Sequence, residues 1–116
     1  MGWDDAIEVP ATGQQLLIRV SSPESLVYES YLPARQPGVV PAAAAGQEQR
    51  FEVLEGALSF SVDGAETLLT AGGRLRVPRG TTCTYWNPGT ARSHLVAEVR
   101  PALDFEQFVQ TWKGDR

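Results

Sequence analysis

"RFEVLEGALSFSVDGAETLLTAGGRLRVPRG", residues 50 to 80, contains four short segments separated by turn residues. Apolar and polar residues alternate along "RFEVLEG" (50 to 56), "ALSFSV" (57 to 62), "AETLLT" (65 to 70) and "RLRVP" (74 to 78). Such alternation is the period of a half-buried strand, because successive side chains point to opposite faces. Gly56, "DG" at 63 to 64, "AGG" at 71 to 73 and "PRG" at 78 to 80 punctuate the segments where tight reversals need Gly or Pro. Working outward, the pattern recurs in "QQLLIRV" (14 to 20), "SLVYESYL" (25 to 32), "TCTYWN" (82 to 87) and "SHLVAEVR" (93 to 100), with turns at "SSPES" and "NPG". Regularly spaced short strands predict an all-β sandwich or barrel. Only the C-terminus reads as helix, over about 103 to 113: Asp104 can cap it, Gln107 stands three residues on, and Leu103, Phe108, Val109 and Trp112 recur at helical spacing before Gly114. That helix is expected on the outside of the barrel.

The chain has 116 residues, 42% hydrophobic and 21% charged, which suits one domain over 1 to 116 with the barrel at about 14 to 100. A net charge of -4 and the lack of any Lys or Arg run argue against nucleic acid or an anionic membrane surface as partner. There is no apolar run of membrane-spanning length, and "MGWDDAIEVP" lacks the basic and apolar regions of a signal peptide, so a cytoplasmic location is expected. A single Cys83, which cannot form an intramolecular disulfide, agrees with a reducing compartment. Arg outnumbers Lys nine to one and Ala is abundant, a bias we attribute to a GC-rich bacterial genome.

Taken together, "FEVLEG", the "VDG" turn, "LTAGGRLRVPRG", "YWNPG" and "VRPALDFEQF" resemble the cupin superfamily, and in particular its small single-domain members. The resemblance spans roughly residues 26 to 112 and implies a jelly-roll β-barrel, commonly paired as a homodimer. The strands "QQLLIRV" and "SLVYESYL" are expected to supply apolar edges for that pairing. In metal-binding cupins the first motif is His-x-His, a spacer of three or four residues, Glu, six residues and Gly. The second is Pro-x-Gly-x-x-His with Asn four residues later. Anchored on Gly56, the Glu position falls on Gln49, and the His pair on Ala43 and Ala45 or on Ala42 and Ala44. In the second motif Pro78, Gly80 and Asn87 match, but the His position is Cys83.

All four family ligands are therefore replaced while the framework of Gly and Pro remains. Methyl groups and a neutral amide offer a first-row metal no donor of comparable strength, so no metal and no cofactor is expected. An improvised metal site from Cys83, Glu48 and His94 is the alternative, and it requires three strands to converge. The small replacements favour a cavity. The family's inward His position implies that Cys83, Tyr85 and Asn87 face the interior, and Gln49, Phe51 and Val53 join them by strand parity. Tyr28 and the Ser59/Ser61 face are further candidates whose direction the sequence leaves open.

Each candidate also has a plainer reading. Cys83 has no adjacent His or cation to activate it and reads rather as a small buried hydrophobe. Tyr85 could give a proton to a carbonyl or enolate oxygen, or simply pack as a core aromatic. Glu48 is a candidate base within "QEQR", which also reads as a solvated strand entry. His94 reads as a rim residue that could pair with Glu98. Two functions follow: a metal-independent isomerase or cyclase of a biosynthetic pathway that works through Tyr85, Cys83 or Glu48, and a non-catalytic binding or sensor protein. In both, the partner is a small, largely apolar organic molecule inside the barrel. A subunit kept only for dimerisation is the weaker option, since a filled core would serve it better.

Overall fold

The computed structural model describes residues 6–9, 12–38 and 47–101. The alanines at 42 to 45 and the expected C-terminal helix lie outside the described residues.

Among the described residues nine strands run β1 (Ala6–Val9), β2 (Gln14–Ser21), β3 (Leu26–Leu32), β4 (Glu48–Glu55), β5 (Ala57–Val62), β6 (Ala65–Thr70), β7 (Arg74–Val77), β8 (Cys83–Trp86) and β9 (Ser93–Arg100). Eight of them coincide with the expected segments to within two residues. The ninth, β1, is four residues long and followed by Pro10, too short for alternation to reveal it. A six-stranded sheet in the order β1-β2-β3-β9-β4-β7 faces a three-stranded one in the order β6-β5-β8. Every pairing is antiparallel. The order corrects one expectation: β2 and β3 are each paired on both sides, so they are not the exposed edges on which the dimer argument rested. Among the described residues no helix is long and apolar enough to cross a membrane.

Alternation places the core. In β3, Leu26, Tyr28, Ser30 and Leu32 are buried while the residues between them are half-exposed. In β9, Ser93, Leu95, Ala97 and Val99 do the same. Leu58 and Phe60 of β5 are fully buried, so Ser59 and Ser61 face outward, which fixes a face the sequence left open.

One turn sets how the two sheets stand against each other. Gly56 reverses the chain between β4 and β5 at φ 81°, and a Cβ there would run into the Ser93 side chain. Only Gly fits both demands. Ser93 Oγ in turn donates to Ala57 O at 2.7 Å and accepts from Ala57 N at 3.1 Å, which ties the turn to β9.

The outer face of the large sheet carries the charge. Glu48 accepts from Arg76 at 2.8 Å and Arg50 at 2.9 Å, Glu98 from Arg100 at 2.6 Å, and Glu29 from Arg19 at 2.7 Å. The hydrogen bonds from Arg76 and Arg50 hold the Glu48 carboxyl down from 4.5 to about 2. Glu98 is lowered chiefly by Arg100. At Glu29 burial pushes upward, but the hydrogen bonds from Arg19 and His94 outweigh it and the pKa falls. A carboxyl whose pKa is lower in the folded than in the unfolded chain stabilises the fold above the unfolded value and loses that contribution as pH falls toward the folded one. Melting temperature should therefore hold steady near neutrality and decline between pH 4.5 and 2. Glu48→Gln should make that decline shallower in a thermal melt series, and added salt should shrink the difference because the pairs are solvent-exposed. An unchanged slope in Glu48→Gln would remove Glu48 from the account.

Candidate functional site

β4 and β5 leave the same turn at Gly56, and a register irregularity between Val53 and Glu55 offsets β4 by one residue. Phe51, five residues before the turn, and Phe60, four after it, meet across the barrel with ring centroids 5.1 Å apart. Tyr85, the β8 partner of Phe60, stands 5.3 Å from Phe60 and 6.0 Å from Phe51. These three rings form a belt across the interior. Two residues farther from the turn on each strand stand Gln49 in β4 and Val62 in β5, whose β8 partner is Cys83. Val77 and Val99 flank Gln49 in its own sheet. Tyr28 reaches in from β3, 2% exposed and close enough to Tyr85 and Cys83 for charge on either to act on it.

The belt divides two polar regions with different hydrogen-bond accounts. On one side Gln14 Nε2 donates to Ser30 Oγ and to the Tyr85 hydroxyl, each at 2.8 Å. On the other, Gln49 is 1% exposed and its Oε1 has no hydrogen-bond partner. Such an orphan costs about 1–3 kcal/mol in desolvation, so native proteins rarely leave one without reason.

The interior groups that can ionise stay neutral. Burial pushes the Cys83 thiol up to about 11. It pushes Tyr85 up to about 12, against the opposing hydrogen bonds from Ser30 and Gln14. Tyr28 is raised well above the usual phenol value by burial, with Tyr85 and Cys83 adding to it.

The expected site residues separate into three groups. Tyr28, Gln49, Phe51, Val53, Cys83 and Tyr85 are all buried on the interior face. Asn87 is also fully buried, but its Nδ2 donates to Leu32 O at 3.0 Å and Ala91 O at 2.9 Å while its Oδ1 accepts from Gly89 N at 2.9 Å. It braces a turn and has little left for a ligand. Glu48 and His94 point out of the barrel. His94 Nε2 pairs with Glu29 Oε1 at 2.7 Å and its ring stacks on Tyr31 at 4.1 Å, in place of the pairing with Glu98 considered from sequence. Glu48, Cys83 and His94 therefore do not converge. Among the described residues no three His, Cys, Asp or Glu side chains are grouped to hold a metal ion. The donors present do not fit the divalent ion that the fold's metal-binding members carry: Gln49 is a neutral amide and Cys83 a protonated thiol.

Sequence reasoning missed Gln14, Ser30, Phe60 and Gly38. Phe60 was readable from the Leu-Ser-Phe-Ser alternation of β5, whereas Gln14 sits in "QQLLIRV", where either parity buries apolar residues. Gly38 matters because its backbone lies flat on the Tyr85 ring, with Gly38 N donating to Tyr85 O at 2.7 Å and no room for a Cβ.

A groove of about 740 Å³ lies over the large sheet, lined by the outward residues Val27, Arg50, Glu52, Arg74, Arg76, Val96 and Glu98 and reaching Phe51, Leu75 and Ala97. Its arginines are solvent-exposed and their Nε atoms engage neighbouring glutamates. Gln49, Cys83, Tyr28 and Tyr85 do not line it. The buried, incompletely paired interior is the more demanding environment and the better candidate.

No family model matches the sequence, and no curated protein matches it. Solved structures do. An RmlC-like cupin from Shewanella frigidimarina superposes with a TM-score of 0.74 at 24% identity, over 88% of each chain. This chain has the cupin fold. KdgF from a Halomonas species gives 0.74 at 18% identity, over 87% of this chain and 89% of that one. The cupin domain of an XRE family transcriptional regulator from Enterobacter cloacae gives 0.64 at 16% identity, over 73% and 95%. At these identities the likeness is one of fold, and the cupin framework carries different interior residues for different purposes.

Gly38→Ala should press a methyl group into the Tyr85 ring and displace either the ring or the loop backbone at Gly38. We expect a loss of about 1–3 kcal/mol in denaturant unfolding, as for overpacked cores. Wild-type stability in Gly38→Ala would mean that the crossing is not tight in solution.

Proposed function

We propose that this chain is a small-molecule-binding protein built on the cupin fold. It takes a small, largely apolar organic molecule between the sheets, at the level of Gln49 and Cys83. The observation that carries the reading is the buried, unpartnered Oε1 of Gln49. It stands where the fold's metal-binding members hold a carboxylate ligand, and here no metal donor set accompanies it. A bound molecule that pairs with it recovers the free energy that the unpaired acceptor forgoes.

Of the two functional classes, binding without turnover is favoured by the distribution of acids and bases. An isomerisation needs a proton removed at one atom and delivered at another. The interior offers protonated donors in Tyr28, Cys83 and Tyr85, all shifted upward, while Glu48, the candidate base, faces solvent between two arginines. The similarity to the cupin domain of a transcriptional regulator is in keeping with a sensor role.

Indole, a neutral aromatic probe, should bind in ligand-observed NMR. Cys83→Trp, which fills this level, should abolish the signal at a stability cost of about 1–3 kcal/mol. Val96→Glu, which alters the outer groove, should leave it intact. The opposite pattern would move the site to the outer face of the sheet. Tyr85→Phe removes one acceptor from Gln14 and should cost about 1 kcal/mol with binding preserved. If a reaction is found and Tyr85→Phe slows it on the order of 100-fold, the catalytic reading replaces this one.

A further inference from the structure

We propose that the molecule bound at Gln49 is electrically neutral and offers a hydrogen-bond donor, a hydroxyl or an N–H, to Gln49 Oε1. The inference rests on the interior-binding reading above and adds the chemistry of the occupant.

Neutrality follows from where the charges lie. The buried polar side chains among the described residues are Gln14, Ser30, Gln47, Gln49, Asn87 and Ser93, with no acid or base among them. The ion pairs among the described residues all belong to exposed or half-exposed side chains. A carboxylate, phosphate or ammonium entering between the sheets would lose its hydration and meet no counter-charge, a penalty that the apolar walls cannot offset. Nor can the interior readily make one, since burial raises the pKa of the Tyr28 and Tyr85 phenols and the Cys83 thiol.

The demand for a donor follows from the hydrogen-bond account. Asn87 is committed to Leu32, Ala91 and Gly89. Ser93 is committed to Ala57 in both directions. Ser30 and the Tyr85 hydroxyl share the Gln14 amide. Gln49 Oε1 is the acceptor without a partner, and it can be satisfied only by a group carrying hydrogen. Its sheet partners Val77 and Val99, and Phe51 two residues along β4, are apolar, so the rest of the molecule is apolar. A hydrocarbon or an ether of the same shape would leave the orphan in place, the situation in which polar sites discriminate most sharply.

Phenol, anisole and benzoate share one ring and separate these features. Their affinities for the full-length protein are measured by NMR titration, in the wild type, in Gln49→Leu and in Cys83→Trp. Phenol should bind about tenfold or more tighter than anisole in the wild type, because only phenol pairs the buried acceptor. Benzoate should be the weakest. Gln49→Leu should weaken phenol until it matches anisole, and Cys83→Trp should remove both. Equal binding of phenol and anisole, or a preference for benzoate, that Cys83→Trp still abolishes would overturn the donor assignment and leave the interior site standing. Absence of binding by all three, or binding indifferent to Cys83→Trp, would overturn the interior reading as well. Should Gln49→Leu fail to fold, the wild-type ranking alone still decides.

Discussion

The chain reverses at Gly56 in a space that admits no side chain, and the levels of the interior follow from that reversal. Its left-handed backbone and the Ser93 hydroxyl pressed against it fix β4 and β5 with no freedom to slip. A shift by one residue would exchange inner for outer face along a whole strand and bring Arg50 and Glu52 between the sheets. With the level set, Phe51 meets Phe60, Tyr85 closes the belt, and Gln49 and Cys83 each stand two residues beyond it on their own strands. The aromatic pairing is thus a result of the turn and then reinforces it, since each tilted or offset ring contact adds roughly 0.5–1.5 kcal/mol beyond burial.

The same alternation sorts polarity into two populations that do not mix. Outward positions of β3, β4, β7 and β9 carry Glu29, Glu48, Arg50, Glu52, Arg74, Arg76, Glu98 and Arg100, tied into pairs in contact with water. Such pairs contribute modestly and respond to salt and acid. Inward positions carry amides, hydroxyls and one thiol, which respond to neither near neutral pH. The pH sensitivity of the fold and the selectivity of its interior should accordingly be separable by mutation.

Strand positions and their facing were legible in the sequence wherever apolar and polar residues alternate cleanly, as in "ALSFSV" and "SHLVAEVR". Where both parities offer apolar residues, as around Gln14 and Leu16, facing depends on tertiary pairing that no local pattern records. For that reason the Gln14–Ser30–Tyr85 network was invisible before the sheets were assembled. Asn87 shows a different limit: its depth was readable from parity, but its commitment to the turn at 87 to 91 depends on backbone carbonyls whose direction composition does not encode. The inward facing of Gln49 and Cys83 was inferred by resemblance. What resemblance could not supply is that one of them lacks a partner.

That lack acquires its meaning from the choice of amide over acid. A glutamate at position 49 would be a charge buried between Val77 and Val99 with no metal donor set to share it, and it would have to take up a proton or force the strand open. The amide keeps the length of the side chain and an acceptor oxygen at a fraction of the desolvation cost. An apolar residue would have removed the cost altogether, since replacing a buried unsatisfied group by one of similar shape is often neutral or stabilising. Structure alone therefore gives no reason to keep an amide here, and a molecule that donates a hydrogen bond to it does.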